Sequence, residues 1–563
     1  MFRKVSYLIL MLTLCAGIAI AAVPPAQPTA SAFDQAIDRI AAREAENFKI
    51  LQQYSPMVET YIQELRPDKE LGLVPEGDHY FLGRATFKGY VRDQNFLGEQ
   101  PAGGGFAARM LHASHRLPTR RSDFIPLGFA QMAIIDATGF DRQHYDFRYL
   151  RREFLGEVRC LLFDVSPKPK SGIGRFVGRI WVEDQDYNIV RANGTFTPGS
   201  AKGRYLHFDT WRLNLQPGIW LPAYIYTEES DIRMSSMKNT AFKGVTRLWG
   251  YDIGRDMSQD AFTKILVESE DSVKDQSESG QDLSPVAAER AWERQAEENI
   301  LERMQRAGLL APTGDVEKVL QTVVDNLMIT NNLTLEPEVR CRILLTNPIE
   351  SFTVGHTIVV SRGLLDVLPD EATLAAVLAH ELSHIVLAHR LDTKFAFGDR
   401  TIFPDDQTLQ NISMMHSGEE EQQADTKSLE LLQNSPYKDK LATVGLFMKQ
   451  LQQSRGALPK LIRGQVGNTL VIGAAPRLAS VMADSPNLER TRVDQVAALP
   501  LGGRIKLDAW TGKVEISKAR SVALLNAREK MPFEVTPVFP FLTRLPVSRA
   551  VNPVPANTSN GAQ

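Results

Sequence analysis

The chain carries only three cysteines in 563 residues. That is too few for a disulfide framework or a four-thiolate metal site, so any bound metal must rest on His and carboxylate. Net charge is also scarce: 64 Lys and Arg against 67 Asp and Glu leave −3. A surface that tracks phosphates needs a basic excess, so nucleic acid is not an expected partner. Past residue 22 the sequence has no apolar run approaching the roughly 18 residues of a membrane helix, and the mature chain is expected to be soluble. What is present is ordinary globular material, 43% hydrophobic and 23% charged, with enough apolar content to bury real cores. At roughly 150 residues per domain, this length accommodates two to four domains.

Residues 1–22 read as a signal peptide. Arg3 and Lys4 form a charged start, Val5 to Ala22 is apolar or small, and Ala19-Ile20-Ala21 offers a cleavage site. The expected location is therefore periplasmic or secreted. Cleavage removes Cys15 and leaves Cys160 and Cys341, which are expected in different domains with no bridge.

Residues 31–64 show helical spacing of Phe33, Ile37, Ile40, Phe48 and Leu51. From Tyr80 to Tyr251 the pattern becomes short β-branched and aromatic runs, among them 128–137, separated by turn chemistry such as Pro198-Gly199 and Pro217-Gly218. This predicts an antiparallel β domain over 33–262. A charged linker and helix follow over 263–312, a peptidase-like domain over 313–500, a small β extension over 501–546 and a disordered tail over 547–563. The fold class expected is a multidomain α+β chain, with an N-terminal half-barrel-like sheet and a mainly helical zincin domain carrying a small edge sheet.

His380-Glu381-Leu382-Ser383-His384 lies in a run that Asp370 can cap, with Leu374, Val377, Leu378 and Ile385 supplying a buried side. Residues i and i+4 of a helix differ by about 40° around its axis, so both imidazoles share a face and can grip one ion. Glu381 flanks that face, placed to take a proton from water. Downstream, Glu421 and Asp425 repeat the i, i+4 spacing within Glu419-Glu-Glu-Gln-Gln-Ala-Asp425. Glu421 is the expected third ligand, and Asp425 the expected hydrogen-bond acceptor for a ligating His. The ion expected is one Zn²⁺ per chain.

His380/Glu381/His384 followed by Glu421-Gln-Gln-Ala424-Asp425 resembles the zinc metallopeptidase family of the CAAX-prenyl proteases and HtpX, most of all its soluble periplasmic branch, which includes the β-barrel assembly-enhancing protease. The run Gly355-His-Thr-Ile-Val-Val-Ser-Arg-Gly-Leu-Leu365 resembles that family's segment before the active helix. The resemblance implies peptide docking along Thr353–Val360 by backbone pairing. It also implies an oxyanion-stabilising arginine, Arg490 or Arg492, although Ser485 stands where the family has His. The family's N-A-F-A-x-P-G-G reads Glu350-Ser-Phe-Thr-Val-Gly355 here. His416, between the two motifs, is a candidate inhibitory fourth ligand, whereas His389 is expected to pack off the metal face and His356 to lie on the surface.

The stretch from Gly174 to Gly194 resembles a hairpin of LolA-like and RseB-like periplasmic proteins, which carry lipoproteins or sense their lipid parts. That likeness implies lipoprotein or lipid contact through the N-terminal domain. Together these readings predict a secreted or periplasmic zinc endopeptidase of gluzincin type, acting on extended or unfolded envelope proteins with Glu381 as general base. The alternative is a non-catalytic envelope chaperone or lipid-binding sensor that uses the peptidase fold as a scaffold.

Overall fold

The structure is a computed structural model. It describes residues 31–68, 72–88, 92–95, 128–137, 139–197, 207–229, 241–251, 285–393, 395–397, 408–409, 412–472, 475–485, 505–508, 513–516, 533 and 535–546. The signal segment, the linker over 263–284, the tail over 547–563, Arg490 and Arg492 lie outside the described residues. Among the described residues no helix is long and apolar enough to cross a membrane.

Helix α1 (Ala32–Leu51) starts at Ser31, whose hydroxyl accepts from Asp34 N at 3.0 Å while the Asp34 carboxylate accepts from Ser31 N. The helix is shorter than its periodicity predicts. It ends at Leu51 in tight turns, Gln53 N to Ile50 O and Tyr54 N to Leu51 O, ahead of Ser55-Pro56, where proline disfavours helical backbone, and β1 (Met57–Asp68) follows. Strands β2 (Gly72–Thr86), β3 (Arg92–Asn95), β4 (Tyr145–Leu155), β5 (Val158–Pro167), β6 (Phe176–Glu183), β7 (Ile189–Phe196), β8 (His207–Gln216), β9 (Ile219–Glu229) and β10 (Ala241–Trp249) complete a ten-stranded antiparallel sheet. Its order is β3-β2-β1-β10-β9-β8-β7-β6-β5-β4, a meander in which the last strand closes back on the first. The apolar run at 128–137 is not a strand. It forms a 3-10 turn over Ala130–Ala133 whose Ala130, Met132 and Ala133 are buried, since a short apolar run does not by itself distinguish the two conformations.

Strand alternation sorts the sheet's side chains onto two faces. Ile62, Phe163, Ile180 and Ile225 pack against Ile37 and Ile40 of α1. Their neighbours Tyr61, Leu162, Trp181, Tyr224 and Tyr226 face the other way, where Phe533, Val535 and Leu542 cover them. The segment 535–546 thus runs as a strap across the sheet. Val535 N donates to Gln63 Oε1 at 2.9 Å, Val538 N to the Tyr224 hydroxyl at 3.0 Å, and Glu157 N to Leu542 O at 2.9 Å. Gly156, at φ +67°, faces Leu542 so closely that a Cβ would lie 2.5 Å from its carbonyl oxygen. The small pair Ile505–Asp508 and Lys513–Ile516 forms an antiparallel hairpin, as its sequence predicts.

The second half begins with α2 (Pro285–Arg306), ending just before Gly308 at φ +79°. Helices α3 (Asp315–Thr330), α4 (Arg362–Val367), α5 (Glu371–Val386), α6 (Gly418–Gln433), α7 (Leu441–Ser454), α8 (Pro459–Ile462) and α9 (Ala479–Asp484) follow. A small sheet of order β11-β13-β12-β14 combines Arg340–Leu344, Thr357–Ser361, Glu350–Val354 and Asn468–Thr469. Cys160 and Cys341 are both buried and free. At the seam between the halves, the Asp78 carboxylate of β2 accepts Lys460 N at 2.9 Å and Leu461 N at 2.7 Å from the start of α8. Arg247 of β10 pairs with Glu59 of β1, whose carboxylate also accepts Asn347 N at 2.5 Å.

Candidate metal centre

Helix α5 starts where Asp370 accepts from Thr373 N at 2.9 Å. Thirteen of its residues, Ala372, Thr373 and Ala375 through Ile385, are buried, so it is a central helix with little polar face. His380, Glu381 and His384 therefore sit inside the protein, at most 1% exposed. Helix α6 is capped by Ser417, whose hydroxyl accepts from Glu420 N while Glu420 reaches back to Ser417 N. Glu419 and Glu420 lie in that first turn, where the helix dipole favours negative charge. Glu421, one residue on, turns inward and is 4% exposed.

These two helices bring His380, His384 and Glu421 together, with one ligand atom from each lying within 4.8 Å of the others. His380 Nε2 is 3.1 Å from His384 Nε2 and 3.1 Å from Glu421 Oε2. The second ring nitrogen of His380 lies 2.8 Å from Asp425 Oδ1. Both carboxylates can only accept, so a protonated His380 donates from Nδ1 to Asp425 and from Nε2 to Glu421, and loss of the Nε2 proton would turn a lone pair toward Glu421 for a metal. Glu421 Oε1 is buried with no hydrogen-bond partner. Bare acceptors converging in a buried space are costly unless a cation joins them. The donor set of two imidazoles and a carboxylate, without thiolate, fits a zinc ion.

Charge here is dense. The Arg477 guanidinium, 3% exposed, lies 3.0 Å from Glu381 Oε1 and 3.2 Å from Glu421 Oε2. Burial alone would raise the Glu421 carboxyl, but the Arg477 charge and the His380 hydrogen bond outweigh it and bring it down to about 2. Glu381 is likewise held below the usual carboxylate range: Arg477, His380 and the Ser351 and Thr353 hydroxyls overcome its burial. Burial and the Arg477 charge press His380 down, yet its hydrogen bonds to Asp425 and Glu421 leave it raised. Burial, then the neighbouring His380 and His416, push His384 far below the ordinary imidazole value, keeping it neutral.

Two other histidines meet the site. His389 was expected off the metal face. The helix ends at Val386, and Ala388 at φ +53° turns the chain back, so His389 Nδ1 lies 2.9 Å from His384 Nδ1. Its Nε2 is 3.1 Å from Gln423 Oε1 of α6. His416 stacks on His384 with ring centroids 4.0 Å apart, its side chain 1% exposed and neither ring nitrogen hydrogen-bonded. His356 is at the surface, with Nδ1 2.7 Å from Pro337 O.

The expected docking segment Thr353–Val360 is not a single strand. It spans the end of β12, a turn at Gly355-His356 and most of β13, and β13 lies inside the sheet between β11 and β12. Of these two strands, β12 alone has a side left partly open among the described residues, and there Glu350 and Ser351 pair with Thr469 and Asn468. The Glu350 carboxylate holds that crossing in place, accepting the backbone N–H groups of Gln465, Val466 and Gly467 at 2.8, 2.9 and 3.0 Å.

Residues 315–400 match the model of Peptidase family M48, which supports a metallopeptidase in this half. A search of curated proteins returns no match. Among solved structures, a LolA superfamily protein from Nitrosomonas europaea aligns at 16% identity over 37% of this chain and 91% of its own, with TM-score 0.17. A DUF1329 family protein from Desulfovibrio piger aligns at 12% identity over 39% of this chain and 94% of its own, with TM-score 0.18.

Proposed function

We propose that the chain is a zinc-dependent endopeptidase of the cell envelope, acting on extended polypeptide. The observation that carries this reading is the meeting of His380, His384 and Glu421 beside the buried carboxylate of Glu381. These three residues would hold the metal, with Asp425 fixing the His380 ring and His389 the His384 ring. Zinc bound there supplies Lewis acidity that acidifies water and polarises a carbonyl. Glu381 accepts the proton of the attacking water and delivers it to the leaving amine. An extended peptide is matched by residues 352–354 of β12, which have no strand on their outer side among the described residues. His416, stacked against His384 with neither ring nitrogen hydrogen-bonded, would offer a fourth ligand that closes the site in the absence of substrate.

The apolar run at 5–22 and its small-residue end support export to the periplasm or beyond. Unfolded envelope proteins are the substrate class that such a location and a backbone-reading strand favour. Contact with lipoprotein or lipid through the N-terminal sheet rests on the Gly174–Gly194 hairpin alone.

Glu381→Gln tests the assignment. Metal analysis should still find one zinc per chain, while cleavage of an unfolded model protein should fall by about a hundredfold or more. Undiminished cleavage would end this reading.

A further inference from the structure

Three donors from two separate elements converge on the Glu381 carboxylate. The Ser351 hydroxyl donates to Oε1 at 2.7 Å, the Thr353 hydroxyl to Oε2 at 2.8 Å, and Arg477 Nη1 to Oε1 at 3.0 Å. Ser351 and Thr353 are two apart on β12, so strand alternation turns both toward α5, while Phe352 between them turns into the apolar cluster with Ile300 and Met304 of α2. One hydroxyl on each oxygen fixes the rotation of the carboxylate plane, and the guanidinium locks the end nearer Ser351, whose Oγ it also meets at 3.4 Å.

Arg477 is itself held. Its backbone N donates to Leu470 O at 3.2 Å, and the next residue, Leu478 at φ +57°, donates its N–H to Asp425 Oδ2 at 2.9 Å. The same Asp425 therefore orients the His380 ring with one oxygen and the arginine-bearing segment with the other. A carboxylate offers about four acceptor positions. Three fixed donors leave about one, which gives Glu381 a single direction in which to meet a reacting proton.

We propose that Ser351, Thr353 and Arg477 are positioning residues for Glu381, a claim that rests on the peptidase reading above. A buried carboxylate that needed only charge balance would be served by Arg477 alone. Two strand hydroxyls, one per oxygen, add orientation rather than charge, and orientation is what a base must have to act in a single step. Positioning by the two hydroxyls acts on turnover: peptide docking at 352–354 would use the backbone of Thr353 rather than its hydroxyl, and of the three residues Arg477 is the one that also meets the proposed ligand Glu421.

The test uses the full chain loaded with zinc and an unfolded protein substrate. Ser351→Ala with Thr353→Val should lower kcat about tenfold or more, leave KM within about twofold and keep one zinc per chain. Arg477→Lys should retain more turnover than Arg477→Gln, because it keeps the charge and one donor. An unchanged kcat in the hydroxyl double variant, or a loss matched by lost zinc, would overturn the proposal. A second measurement needs no turnover: thermal unfolding of the zinc-free chain in a cycle combining the hydroxyl double variant with Glu381→Gln. Non-additive shifts support the contacts, whereas additive shifts overturn them. A wild-type chain that binds no zinc and cleaves nothing would defeat the peptidase reading, while the cycle would still decide whether the hydroxyls hold Glu381.

Discussion

The two halves of the molecule bury arginines in different ways. In the sheet half each is closed by one carboxylate: Arg191 by Asp209, Arg212 by Glu44 and Arg247 by Glu59. Arg212 is a two-pronged case, meeting both Glu44 oxygens at 2.6 and 2.7 Å. In the peptidase half Arg477 is divided between Glu381 and Glu421, and Glu421 still keeps an oxygen without a hydrogen bond. A closed pair fixes how elements sit against one another. An open one leaves acceptor capacity for a cation from outside the chain. Buried charge alone does not separate scaffold from site; what distinguishes Glu421 is an unspent acceptor beside two imidazoles.

The sharpest way to break this contrast is to remove one carboxylate from each kind. Glu421→Ala should abolish zinc binding and cleavage, read by metal analysis and peptide assay, yet shift unfolding little, since Arg477 keeps Glu381. Glu44→Ala should do the reverse. It leaves the Arg212 charge buried and unpaired and should cost about 3–5 kcal/mol in denaturant unfolding, with the zinc site intact. If Glu421→Ala were the more destabilising of the two, the distinction would fail.

The seam between the halves gives the next effect. Burial pushes the Asp78 carboxyl up to about 6, despite the N–H groups of Lys460 and Leu461 that pull it down. A raised folded value means that the folded chain holds the proton more tightly than the unfolded chain does. Asp78 should therefore contribute stability below about pH 4 that is lost as pH rises through about 6, amounting to at most about 3 kcal/mol. Asp78→Asn should flatten that part of the profile in urea unfolding; an unaltered profile would contradict it. The smallest effect belongs to the cap of the helix bearing Glu421. Ser417→Ala should cost about 1 kcal/mol, with zinc content unchanged.

What the sequence disclosed followed the range of its signals. His380 with His384, and Glu421 with Asp425, are local pairs at helical spacing, so their shared faces could be read without the fold. The meander was legible through alternation, as in Tyr224, Ile225 and Tyr226, whose side chains do divide between two faces. His389 lies off the metal face as its spacing predicts, but its contact with His384 Nδ1 depends on the left-handed Ala388, which carries no glycine signal. Ser351, Thr353 and Arg477 were missed for another reason. They reach Glu381 across 30, 28 and 96 residues of sequence, through strand register and a segment crossing that no local period encodes.

The strap over the sheet sets an order of assembly. A chain made from its N-terminus folds its first regions first, but among the described residues the face bearing Trp181, Trp211 and Tyr224 joins one apolar cluster with Phe533, Val535 and Leu542 and with second-half residues such as Leu320 and Val360. Arg191 waits there beneath Phe539, 4.8 Å from its ring, and Glu183 for Arg544. Until those late residues emerge, the early half presents a bare aromatic surface. A chain truncated before residue 533 would therefore hold every proposed metal ligand and still leave part of that aromatic surface uncovered.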